Sequence, residues 1–196
     1  MKLRFAHVAA LLVLGTAASA QAQSSSRGSA ATTIDGKKVA IDYGRPALKS
    51  RSIDDLLKQL PTDRMWRAGE NQVTILTTEA ALEIGGKVVP PGKYSLYVHA
   101  PATGDWSLAV NSDNGIPLVK IWDKAPDNMK NEPWPRLDGY SNVLAKEVAR
   151  APMKSGKAAP AADLFTISLA PAGAGATMTM AWGERSWSLD LKAPKK

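Results

Sequence analysis

From Gln72 onward the chain repeats one pattern: short runs in which apolar and polar residues alternate, each closed by a turn-forming residue. Val73, Ile75 and Thr77 alternate with Thr74, Leu76 and Thr78; Tyr94, Leu96 and Val98 with Ser95, Tyr97 and His99; Trp106, Leu108 and Val110 with Ser107, Ala109 and Asn111. A period of two places successive side chains on opposite faces of a strand, so each run covers a core with one face and meets water with the other. Runs of this kind, with turn residues every eight to twelve positions, predict antiparallel strands packed as a sandwich or barrel.

The same alternation closes the chain, in Phe165, Ile167 and Leu169, in Met178, Met180 and Trp182, and in Trp187, Leu189 and Leu191; the Met and Trp stripe reads as core packing. Asp35-Gly36 and Gly85-Gly86 each sit between β-prone runs and predict two-residue hairpin turns. Gly183-Glu184-Arg185 reads as a further hairpin, Ile116 to Trp122 as a strand, and Tyr140 to Val148 as strand or helix. Pro152 to Pro160 reads as an exposed spacer, and Asp123 to Gly139 as a long loop carrying Trp134 between Pro133 and Pro135. One helix is expected: Ser52 can cap it, Asp55 follows three residues on, Ile53, Leu56, Leu57 and Leu60 recur at helical spacing, and Pro61 ends it. The fold class is therefore all-β: an antiparallel, jelly-roll-like β-sandwich with one short helix.

The N-terminus sets where such a domain works. Lys2 and Arg4 precede an apolar stretch from Phe5 to Leu14, and Ala18-Ser19-Ala20 supplies small residues for cleavage, the order of a secretory signal peptide over residues 1–20. Its apolar run is shorter than the roughly 20 residues a spanning helix needs, and no later run is longer, so no membrane span is expected. Residues 21–31 read as a flexible lead-in and 32–192 as a single domain. The expected location is outside the cytoplasm, periplasmic or extracellular. With no cysteine, the exported domain must rest on its apolar core alone. The net charge of +7 is scattered among acids rather than gathered into a groove, which argues against nucleic acid as partner.

Little catalytic equipment remains. His99 is the one histidine beyond the signal segment, so no zinc site and no cofactor is expected, and no Gly-x-Ser-x-Gly or phosphate-binding glycine motif is present. Asp123, Asp127 and Glu132 share a loop and read as solvated. The site-like residues gather in three phrases: Tyr43-Gly44-Arg45-Pro46, Trp66-Arg67-Ala68-Gly69-Glu70-Asn71, and Pro91 to Tyr97. Asp42 with Glu70 is the carboxylate pair that could cut a glycosidic bond. Equally, Asp42, Tyr43, Arg45, Trp66, Arg67 and Glu70 could form a structural polar network. A ligand floor would use Arg45, Arg67, Asn71 and Tyr97, with Trp134 as a lid.

These phrases carry a family resemblance. Asp42-Tyr43-Gly44-Arg45-Pro46, Arg51 and Ile53, Trp66 to Asn71, Gly86-Lys87 through Gly92, Tyr94, Ser95 and Leu96, the strand from Trp106 to Val110, and the late Met178, Met180 and Trp182 resemble a bacterial exported family known only as domain of unknown function 2911. The chain departs from its pattern at Ala68 and Glu70, and in the helix from Ile53 to Leu60. The resemblance implies an exported β domain with no assigned activity. The leading functional expectation is a non-catalytic envelope or secreted module binding a small molecule or envelope glycan. A carboxylate-dependent glycan hydrolase and a purely structural envelope protein are the alternatives.

Overall fold

The computed structural model describes residues 27–136 and 139–195; the expected signal peptide and the first part of the lead-in lie outside them. In chain order come β1 (Arg27–Ile34), β2 (Lys37–Gly44), α1 (Ile53–Leu57), β3 (Met65–Trp66), β4 (Thr74–Thr78), β5 (Leu82–Ile84), β6 (Lys87–Val89), β7 (Gly92–His99) and β8 (Ser107–Asn111). Then follow β9 (Ile116–Pro117), β10 (Pro133–Trp134), β11 (Glu147–Pro152), β12 (Lys154–Ala172) and β13 (Gly175–Lys192).

The turn residues act as expected. Asp35 and Gly36 take φ of 52° and 72° and join β1 to β2, while Gly85 and Gly86, at 59° and 76°, join β5 to β6. Both pairs have the left-handed backbone that a tight antiparallel hairpin requires. β1 starts at Arg27 rather than Thr32, because β2 offers a complete ladder back to Gly44 and pairing asks nothing of the polar side chains on β1. In α1, Ser52 accepts a hydrogen bond from the Asp55 amide at 3.0 Å and donates to its carboxylate at 2.6 Å. The helix is shorter than its apolar spacing suggests, and Gln59 and Leu60 follow in tighter turns.

Two sheets form the sandwich. One runs β1-β2-β4-β7-β8-β11, with β3 continuing the β4 edge of β7; the other runs β12-β13-β5-β6. Between them lie Leu76, Leu82, Leu96, Phe165, Met178 and Met180, all essentially inaccessible to water. Strand alternation puts Leu96, Val98, Leu108 and Val110 into this core and sends Tyr97 and Ala109 to the opposite face of the first sheet. There Tyr97 and Ala109 meet Met65, Tyr140 and Val143 in a second, smaller cluster.

Four local expectations are corrected. Only Ile116–Pro117 of the Ile116 to Trp122 stretch is strand, and Leu118–Lys120 winds into a 3-10 turn, since Pro117 has no N–H with which to extend a ladder. Tyr140 to Lys146 forms two 3-10 turns before β11 begins at Glu147. The supposed spacer from Pro152 to Pro160 is the exposed first part of β12, paired from Lys154 to Lys157 with β13. Gly183 is a bulge, at φ 57° opposite Ala162, and β13 runs through Gly183-Glu184-Arg185 without turning.

Candidate functional site

The first phrase joins the sheets. Leaving β2, the Tyr43 hydroxyl donates to the Ile167 carbonyl at 3.1 Å, and Arg45 donates from Nε to the Phe165 carbonyl at 3.2 Å and from Nη2 to Thr166 Oγ1 at 3.0 Å. The backbone continues the contact, with Phe165 N–H donating to Pro46 O and Leu48 N–H to Asp163 O. Arg45 is thus a clasp between the end of β2 and the outer edge of β12.

The second phrase folds against the first. A Cβ on Gly44 would collide with the Glu70 backbone, and one on Gly69 would crowd Thr74 Oγ1 at 2.9 Å and Gly44 O at 3.0 Å, so only glycines allow the two segments to lie this close. Ala68 and Asn71 adopt φ of 51° and 61° to make the bend. Trp66 donates from Nε1 to Gly69 O at 3.1 Å, and Thr74 Oγ1 donates to Ala68 O at 2.7 Å. The Trp66 ring stacks on Trp182 and meets Phe165 edge-on at 4.8 Å, which anchors this loop in the core.

On the outer face of the first sheet, β3, β7, the residues after α1, and Pro135, Arg136, Gly139, Tyr140 and Val143 line a cleft of about 350 Å³. Leu60, Met65, Trp66 and Val143 supply apolar wall; Arg67, Tyr97 and Arg136 supply polar groups. Arg67 Nε is buried and has no hydrogen-bond partner among the described residues. Burial pushes the Arg67 pKa down, against the opposing influence of Glu70 and the Tyr97 phenol. Burial likewise pushes the Tyr97 pKa up, with Arg67 and Arg136 among the charges that act on it.

The cleft has a rigid frame. Asp63 accepts from Met65 N–H at 3.0 Å and Tyr140 N–H at 3.3 Å, tying β3 to the 3-10 turn. Tyr140 packs edge-on against Tyr97 at 4.8 Å and donates to Glu147 Oε2 at 2.7 Å, while Asn111 Nδ2 donates to Tyr140 Oη at 3.3 Å and to Val143 O at 2.7 Å. Arg136 reaches Asp113 Oδ2 at 3.5 Å, a long contact, whereas Lys146 Nζ donates to the same oxygen at 2.8 Å. Burial raises the Asp113 pKa, but Lys146, the Gly115 N–H and Arg136 outweigh it and leave it below the usual carboxylate value.

Of the ligand residues expected from sequence, Arg67 and Tyr97 share the cleft. Arg45 is committed to β12, Asn71 lies in the bend beyond Arg67, and Trp134 sits in β10 next to Pro135 of the cleft wall. The polar network does not form as one cluster: Asp42 is exposed on β2, Glu70 presents its backbone to Gly44, and these acids make no ion pair with Arg45 or Arg67 among the described residues. Met65, Arg136, Tyr140 and Val143 complete the site, and no short-range signal marked them. Among the described residues no group of acidic, His or Cys side chains is arranged to hold a metal ion, and no helix is long and apolar enough to cross a membrane.

A family model described as a protein of unknown function (DUF2911) matches residues 25–191. No curated protein and no solved structure matches the chain.

Proposed function

The chain belongs to this family of proteins of unknown function, and we propose that it is an exported, non-catalytic module that binds a small ligand in the cleft between β3, β7, Arg136 and Tyr140. The observation that carries the reading is the cleft itself: a concavity with apolar walls in which Arg67 and Tyr97 present a few convergent polar groups. Asp63, Asn111 and Glu147 tie Met65, Tyr140 and Val143 in place by hydrogen bonds, so binding requires little reordering of that side. Export rests on the signal-like residues 1–20.

The hydrolytic alternative gains no support from geometry. Asp42 and Glu70 do not line the cleft, and Asp63, which does, has both carboxylate oxygens engaged by backbone amides.

The test is a small-fragment screen by NMR on the purified protein. Hits should perturb the Trp66 indole and Tyr97 signals, and Arg67→Ala should abolish them while the fold persists. Hits that leave both signals untouched, or global unfolding by Arg67→Ala, would favour bracing over binding. For export, fractionation of expressing cells should find the processed chain, starting near Gln21, outside the cytoplasm.

A further inference from the structure

Among the described residues, the cleft lining carries Arg67 and Arg136 against the single carboxylate of Asp63. Asp63 accepts from the Met65 and Tyr140 amides, and the nearby Asp113 is held by Lys146 and by the Gly115 N–H at 2.9 Å, with Arg136 only at the long 3.5 Å. Glu70 influences Arg67 without forming an ion pair with it. Arg67 is partly withdrawn from water, with its buried Nε unpaired among the described residues, and an anion in the cleft it lines would offset part of that cost. The apolar part of the lining is Leu60, Met65, Trp66 and Val143, which favours a ligand with an apolar body.

We propose that the cleft selects a small monocarboxylate: its carboxylate on Arg67 with the Tyr97 hydroxyl donating alongside, and its apolar body against Met65 and Trp66. The assignment deepens the binding function proposed above and rests on it. The guanidinium fork can hold the two oxygens of a carboxylate. Carboxylate fits better than phosphate because a phosphate monoester carries up to about two negative charges and three acceptor oxygens, more than Arg67 and the Tyr97 hydroxyl satisfy beside an apolar wall. A cleft of about 350 Å³ suits a ligand of benzoate or hexanoate size.

Matched acid and amide pairs make the test: benzoate with benzamide and hexanoate with hexanamide, plus inorganic phosphate, titrated into the full chain. The readout is the Trp66 indole N–H resonance, assigned by its loss in Trp66→Phe. The acids are expected to shift it and the amides to be far weaker. Arg67→Ala should weaken the acids about tenfold to a hundredfold, as loss of a charge-assisted hydrogen bond does, with an unchanged near-ultraviolet dichroism spectrum. Arg67→Lys and Tyr97→Phe should give intermediate losses, and these carry the test if Arg67→Ala fails to fold. Amides that bind as well as their acids would overturn the carboxylate assignment and leave the cleft reading standing, as would phosphate binding more tightly than either acid. No response at millimolar concentration from any probe would sink both.

Discussion

The indole of Trp66, beside the first sheet, lies parallel to that of Trp182 on the second, with ring centroids 5.4 Å apart and planes 11° from parallel. Because Trp66 also forms wall of the cleft, the site takes its shape from core packing rather than from a free-standing loop. Trp182→Ala is expected to cost about 3–5 kcal/mol, seen as a lower urea midpoint, and to shift the Trp66 indole resonance. An unchanged midpoint would show that the stack supports neither.

Arg45 and Arg67 should separate cleanly. Arg45→Ala removes two donors from the β12 edge and should cost about 1–3 kcal/mol of stability while ligand response at Trp66 persists. Arg67→Ala should do the reverse, losing the ligand with little change in thermal midpoint. Equal stability losses in both variants would contradict the division of roles.

Gly44→Ala should be among the most damaging small substitutions, because the added methyl has nowhere to go but into the Glu70 backbone. Overpacking of this kind costs about 1–3 kcal/mol, and two apposed main chains yield less than side chains do. Gly86→Ala is the control: it has open space and suffers only from its φ of 76°, so about 1 kcal/mol is expected. Denaturation midpoints in the opposite order would refute the close approach.

Stability should fall at both ends of the pH scale. Burial raises the pKa of Asp113 and of Glu147, but Lys146 in the first case and Arg150 with the Tyr140 hydroxyl in the second outweigh it, so both stand below their ordinary values. Their contribution is present above about pH 4 and is lost as pH falls through the lowered folded values. Burial raises the Tyr94, Tyr97 and Tyr140 pKa values, so their contribution is full below about pH 10 and is lost as pH rises through the raised ones. Urea midpoints measured against pH should show both limbs, and Asp113→Asn should flatten the acid one.

The parts of this fold written in the sequence are those decided within a few residues. Asp35-Gly36, Gly85-Gly86 and the Ser52 cap each satisfy their own backbone, so local chemistry suffices. What escaped reading depends on partners far away in the chain: residues 154–157 look like spacer yet become strand because β13 stands beside them, and Gly183 resembles a turn until its ladder partner Ala162 makes it a bulge. The site divides similarly. Arg67 and Tyr97 stood out by composition, whereas the fate of Arg45 was set by the Phe165 carbonyl and the Thr166 hydroxyl some 120 residues on, and Arg136 and Val143 enter the cleft only through tertiary placement.

The clasp on β12 has a consequence for the protein at high concentration. Alternate residues Asp163, Phe165 and Ile167 turn their carbonyls outward, and all three already accept bonds from the stretch between Tyr43 and Leu48. A stray strand from another molecule finds these three acceptors already taken. For a polypeptide lacking covalent cross-links, this occupied stretch shields the middle of an edge strand from pairing with another molecule.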